Sequence, residues 1–374
     1  FTSLDPMRCP ELQELQNRRT LKWTRYDEDV LPLWVAESDF GTCPPLKEAL
    51  ADAVEREVFG YPPDRTGLPE ALVGFYERRY GFAPKPNHVF AIPDVVRGLQ
   101  LAIEHFTKPG SAVIVPIPAY PPFIELPKVT GRKVIYLDAY KFNLNEIEEA
   151  FADGAGSILF CNPHNPLGTV FGEEFIRELT DLAVKYEARV IVDEIHAPLV
   201  FEGTHVVAAG VSANAAEACI TITATSKAWN TAGLKCAQIF FTNKNDVKTW
   251  KKLSGITRDG VSILGLIAAE TVYNEGESFL DESLQYLREN RDYAAAELEK
   301  LGVKVYVPDA TYLMWLDFSD TEIAKSPSII LREEGKVMLN DGAAFGDFTN
   351  CARLNFACSR ETLEEGLRRI ASVL

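Results

Sequence analysis

Between residues 88 and 241 one pattern recurs: a short apolar run, a turn, then a stretch leading to the next run. The runs are HVFAI (88–92), SAVIVP (111–116), KVIYL (133–137), SILFC (157–161), RVIVD (189–193), CITIT (219–223) and AQIFF (237–241). Most are apolar throughout instead of alternating, as strands are when both faces of their sheet are covered. Two of the intervening stretches, VVRGLQLAIEHF (95–106) and EEFIRELTDLAVKY (173–186), carry apolar residues at three-and-four spacing and are predicted to be helices. An α/β architecture follows, with a mainly parallel, mixed seven-stranded sheet clad in helices.

The pattern then changes. A long helix is predicted near 276–300, followed by strands at VKVYV (303–307) and TYLMWLDF (311–318). Next come a helix in SPSIILREEG, a strand in ARLNFA and a terminal amphipathic helix in RETLEEGLRRIASVL. This is the signature of a smaller α+β unit. The first 45 residues, with LPLWVAESDF and the pair Pro44 and Pro45, are predicted to be an arm packing on it. A chain of 374 residues exceeds the size at which one core stops growing. Two units are therefore expected: a large one over 46–270, and a small one from 1–45 with 271–374.

A formal charge of −16 repels a phosphate backbone, which argues against nucleic acid as a partner. The seven cysteines are odd in number and scattered, without CxxC spacing, so reduced core thiols are expected and a metal centre is not. The opening FTSLDPMRCP lacks a basic region followed by an apolar stretch, and no run of membrane-spanning length occurs. The expectation is a cytoplasmic protein with no membrane partner.

In an open α/β sheet, ligands bind beyond the carboxyl ends of the strands, so polar residues just after the apolar runs are the candidates. CITIT leads into ATSK. A lone lysine in such a place is ordinarily solvated, but Lys227 follows Thr225 and Ser226, and Lys235 lies eight residues on. Hydroxyls and a second cation thus converge on one anion, and an amine beside another cation has the lowered pKa that a Schiff-base lysine needs. RVIVD ends on Asp193, either a turn cap or an acid partner for a heterocyclic nitrogen, with His196, a core histidine or a ring contact, three residues later. SILFC runs into NPHNPLG, where Asn165 and Asn162 compete as amide donors.

The segment AIPDVVRG places a strand end before a helix, leaving the amides of Val95 and Val96 free for a phosphate, although a plain helix start capped by Asp94 fits equally. Tyr120, held among prolines in VPIPAYPPF, suits stacking on a flat ring as well as core packing. Arg353 in NCARLNFA suits two-pronged binding of a carboxylate, or a surface ion pair.

Together HNPLG, VDEIH, TSK and CARLNFA stand in the order and spacing of the fold-type I aminotransferases, and the resemblance covers nearly the whole chain. More narrowly, Lys22–Trp23, LPLWVAESDF, FGYP (59–62), VDEIHAPLVF, TSKAWNTAGLK and TYLMWLDF resemble the MalY/PatB group of C–S β-lyases, often called cystathionine β-lyases. The resemblance implies an aspartate-aminotransferase-like large domain and pyridoxal 5'-phosphate (PLP) as cofactor. It implies Lys227 as the Schiff-base lysine and proton carrier, Asp193 on the pyridine nitrogen, and Asn165 and His196 near the ring oxygen. Tyr120 would stack on the ring. Val95, Val96, Ser226 and Lys235 would hold the phosphate, joined by Tyr61 from the second subunit of a homodimer, and Arg353 would take the substrate's α-carboxylate.

The implied activity is α,β-elimination of cystathionine or related S-substituted L-cysteines to thiol, pyruvate and ammonia, with Lys227 moving the α-proton and Tyr120 or Lys227 protonating the leaving sulfur. Two alternatives use the same groups: an aminotransferase, and a PLP-bearing protein that binds a regulatory partner. The chain departs from the group at Glu37 and Ser38, where WVADMDF is usual, and in DGAAFGDFTNCARLNF. Both departures lie where substrate enters.

Overall fold

The structure is a computed structural model that describes residues 9–374. Residues 1–8 of the predicted arm lie outside the described residues. The seven apolar runs form one sheet: β1 (Val89–Ile92), β2 (Val113–Ile117), β3 (Val134–Asp138), β4 (Ser157–Cys161), β5 (Arg189–Asp193), β6 (Cys219–Ala224) and β7 (Ala237–Phe241). Their order across the sheet is β1-β7-β6-β5-β4-β2-β3. Every pairing from β6 to β3 is parallel, and β7 alone runs against its two neighbours. This is the mainly parallel, mixed sheet that the apolar runs predicted.

The uninterrupted apolarity of these strands has a direct cause. Successive side chains point to opposite faces, and in the central strands β4, β5, β6 and β7 both faces are buried. Phe160, Val190, Val192 and Phe240 join one core, whereas Leu159, Ile191, Ile220 and Ile239 join another across the sheet. The Val95–Phe106 helix lays Leu99, Ala102 and Ile103 on the second core, and the Glu173–Lys185 helix lays Ile176 and Leu179 on the first.

A second sheet of four strands, β8 (Lys304–Tyr306), β9 (Leu313–Asp317), β10 (Asn340–Asp341) and β11 (Cys351–Asn355), is antiparallel throughout, in the order β10-β11-β9-β8. The predicted long helix is Glu277–Lys300 and the terminal one Arg360–Ala371. The amino-terminal segment is stitched to this region by main-chain bonds: Leu31–Pro32 pairs in parallel with Val337–Met338, the Asn355 amide donates to the Leu33 carbonyl, and the Asp39 amide donates to that of Ala357. Among the described residues, no helix is long and apolar enough to cross a membrane. Six cysteines, at 43, 161, 219, 236, 351 and 358, are buried thiols.

Candidate active site

Register decides which residues meet at the sheet's edge. Cys161 sits level with Asp193, Asp193 with Ile222, Ala224 with Ala237, and Ala237 with Ile92. The chain leaves β4, β5 and β6 at that edge and delivers Asn165, Asp193 and Lys227. Because β7 is reversed, its amino end lies at the same edge, so Lys235, two residues before Ala237, arrives there as well. Leaving β1, the chain passes Asp94, whose side chain accepts from the Arg97 amide at 2.7 Å and caps the Val95–Phe106 helix. Tyr120 follows β2 and immediately precedes the Pro121–Val129 helix.

These ends enclose a cavity of about 220 Å³. Nine of the sequence candidates line it: Val95, Val96, Tyr120, Asn165, Asp193, His196, Ser226, Lys227 and Lys235. Arg353 stands behind that wall, 3% exposed, its Nη1 donating to Asn165 Oδ1 at 3.1 Å and its Nη2 to the Trp34 carbonyl at 3.2 Å. The remaining nitrogen, Nε, is buried without a partner, as is His196 Nδ1. Tyr61 is 99% exposed and does not line the cavity within this chain. The competition within NPHNPLG is resolved by geometry. Asn162 turns to the backbone, donating to the Val206 carbonyl and accepting from the Phe171 amide, whereas Asn165 reaches the cavity.

Burial sets the electrostatics. The Lys227 amine is pulled down to about 8, first by desolvation and then by the Arg353 guanidinium, against the opposing pull of Asp193 and Glu37. Its Nζ donates to the Ala36 carbonyl at 3.2 Å. Burial pushes the Asp193 carboxyl, only 2% exposed, up to about 7, although the Ile195 amide donates to its Oδ1 at 3.0 Å and Lys227 opposes the shift. Desolvation likewise holds Tyr120 up at about 12, aided by Asp193, and lowers Arg353 to about 10. His196 is driven well below the usual imidazole value by burial and then by Lys227 and Arg353. At neutral pH the site therefore presents an amine that is partly neutral, a neutral imidazole and a protonated phenol.

At the opposite end, Lys235 Nζ donates to Asp94 Oδ2 at 3.2 Å beside the start of the Val95–Phe106 helix. Lys235 adopts φ +51°, a left-handed conformation that costs a non-glycine residue energy and is found where surroundings enforce it.

Several groups escaped the sequence reading. The carbonyls of Trp34 and Ala36 bind Arg353 and Lys227, and main-chain acceptors leave no signature in residue type. Tyr312 donates to the same Ala36 carbonyl at 2.9 Å, and the Phe345 ring lies 5.0 Å from the Arg353 guanidinium. Thr231 lines the cavity and pairs with Thr225 at 2.8 Å. Thr231 had a usable signal: it stands in the same TSKAWNT stretch as the lysine.

Comparison with known proteins now bears on this arrangement. Residues 28–370 match the family described as Aminotransferase class I and II. The chain is 83% identical over 368 residues to a cystathionine beta-lyase of Corynebacterium glutamicum, covering 98% of this chain and all of that one. It is 32% identical to the cystathionine beta-lyase PatB of Bacillus subtilis strain 168, over 98% of this chain and all of that one. Its structure superposes with a TM-score of 0.97, at 56% identity and 98% coverage of both chains, on a proposed PLP-dependent beta-cystathionase of Corynebacterium diphtheriae.

Proposed function

The chain belongs to the class I and class II aminotransferase family, and from that premise we propose that it is a PLP-dependent C–S β-lyase cleaving cystathionine or related S-substituted L-cysteines. One observation carries this reading of the site: an amine lowered to about 8 and a carboxyl raised to about 7 line the same cavity, with a buried guanidinium behind them.

The residues fit the cofactor. A cationic ring nitrogen is the partner that Asp193 lacks and would bring its raised carboxyl back to the ionised form. The unpartnered His196 Nδ1 and the Asn165 amide suit the ring's oxygen. The Val95 and Val96 amides, Ser226 and Lys235 suit a phosphate at a helix start. When bound, PLP supplies a protonated, electron-withdrawing ring that accepts the electron pair left on the substrate's α-carbon.

The chain's own groups do the rest. Arg353 binds the α-carboxylate, with its free Nε available as a donor, and so fixes the amino acid's orientation. Lys227, partly neutral near physiological pH, would hold the cofactor, and its free amine would take the α-proton. Asp193 would keep the ring nitrogen protonated. The C–S bond at Cβ then breaks with its electron pair on sulfur, and Tyr120 or Lys227 donates the proton that neutralises the thiolate. Tyr120 suits this role because burial keeps its phenol protonated.

We further assign the large unit to 46–270 and the small unit to 1–45 with 271–374, and place the protein in the cytoplasm as a homodimer. Tyr61, fully exposed in one chain, would reach the neighbouring phosphate site. The test is to incubate the PLP-loaded protein with cystathionine and assay pyruvate and free thiol. Both should appear in equal amounts. Keto-acid-dependent amino transfer without thiol release would overturn the lyase reading.

A further inference from the structure

The strand that brings Asp193 to the cavity carries a second carboxylate to the opposite face. Val190 and Val192 belong to the core on that face, and Glu194 continues their side of the chain. Glu194 is fully buried, outside the cavity that Asp193 lines. Its Oε1 accepts from the Tyr76 hydroxyl at 2.9 Å, and its Oε2 pairs with His205 Nε2 at 2.9 Å. No lysine or arginine of the described residues joins them. Tyr76 belongs to the Leu68–Tyr80 helix and packs edge-on against Phe240 of β7, while the Tyr80 ring closes over His205 at 4.9 Å. A buried carboxylate held by a phenol and an imidazole costs stability that an apolar side chain of similar size would not. The reaction above gives it no task.

The main chain of the same residue is fastened as firmly. The Glu194 amide donates to the Ile222 carbonyl at 2.8 Å and its carbonyl accepts from Thr223 Oγ1 at 3.3 Å, which ties it to β6, the strand that leads to Lys227. That carbonyl also accepts from the Ala197 amide at 2.9 Å, closing a turn around Ile195 and His196. The Ile195 amide within this turn is the donor that holds the Asp193 carboxyl. On the other side, Val206, next to His205, offers its carbonyl to Asn162 Nδ2 in the loop that carries Asn165. Glu194 thus joins three cavity-lining segments from behind, and any shift of it passes to Asp193 through one peptide unit.

We infer that Glu194, held by Tyr76 and His205 on the reverse face of the sheet, is a positioning residue that fixes Asp193 against the ring nitrogen for α-proton removal. The inference rests on the PLP reading of the cavity and adds a residue that acts from outside it.

The test compares PLP-loaded wild type with Glu194→Leu, which fills similar space without either hydrogen bond, and with Glu194→Gln, which keeps an oxygen for Tyr76. Each is followed by thiol release from cystathionine and by exchange of the L-alanine α-proton with deuterated water, which needs no leaving group. Glu194→Leu should melt no lower than wild type, since a buried charge is gone, yet lower the kcat of both reactions about 10- to 100-fold with KM within about twofold. Glu194→Gln should recover most of the loss. The nitrogen-15 resonance of PLP labelled at the ring nitrogen should move toward that of the unprotonated ring in Glu194→Leu and return in Glu194→Gln.

In an Asp193→Asn background, Glu194→Leu should cost less than about twofold more, because the residue it acts through is already disabled. An unchanged nitrogen-15 signal, a rate loss that only tracks lost stability, or a full further loss in the Asp193→Asn background would overturn the inference. Should Glu194→Leu fail to fold, Tyr76→Phe decides: removing one of the two bonds should cost about threefold in rate with a smaller nitrogen-15 shift, and no change in either would overturn the inference. Alanine exchange that responds as stated in a protein that releases no thiol would instead overturn the lyase reading and leave this one standing.

Discussion

The edge of the seven-stranded sheet and the segment spanning residues 34–37 meet at one cavity, yet they are built by different means. At the sheet edge, Asn165, Asp193 and Lys227 each follow a strand within a few residues, and strand register sets their spacing. On the other side, Arg353 reaches the Trp34 carbonyl across 319 residues of chain, Tyr312 the Ala36 carbonyl across 276, and Asn355 the Val35 carbonyl across 320. The first region places its groups by topology; the second places its groups by packing distant segments together. Under the proposed function, cofactor chemistry and substrate binding are therefore separable.

The largest way to break this division is at Lys227. Lys227→Ala should lower kcat/KM by roughly 10⁴-fold or more, since nucleophile and proton carrier are lost together. Borohydride reduction followed by peptide mapping should label Lys227 in the wild type, and a label on another lysine would undo the assignment. Asp193→Asn should still bind PLP but lose roughly 10³-fold in kcat, because the ring nitrogen no longer keeps its proton. Turnover near the wild-type rate would refute the electron-sink role.

Across the cavity, Arg353→Ala should raise KM for every amino-acid substrate on the order of 100-fold while the bound cofactor's absorbance stays close to wild type. A loss of cofactor instead would show that the two halves are not separable. The smallest effect is on pH. With the Lys227 amine near 8, its neutral form is scarce in acid. Capture of PLP by the apoprotein should slow about tenfold for each pH unit below that value and level off above it. A rate independent of pH would mean that the amine is already neutral across the range.

The same contrast explains what could be read from the chain alone. SILFC, RVIVD and AQIFF match β4, β5 and β7 residue for residue, and VVRGLQLAIEHF matches its helix, because buried strands and amphipathic helices are written in local apolar spacing. The cavity-lining residues at those strand ends were equally legible. Where two candidates shared one loop, residue type was silent. Asn162 and Asn165 are both asparagines before proline, and only the folded loop turns one to the backbone and the other to the cavity.

By itself, then, the sequence determined the sheet, its cladding and the polar residues carried past each strand, since all of these depend on neighbours a few residues away. Tertiary structure alone decided that β7 runs backwards and so brings Lys235 to the shared edge, and that the carbonyls of Trp34 and Ala36 serve as acceptors. Such contacts join main-chain atoms and charges hundreds of residues apart, and every residue carries the same carbonyl. Burial, too, exists only once the chain has folded, and it is burial that brings the pKa values of the amine and the carboxyl close together.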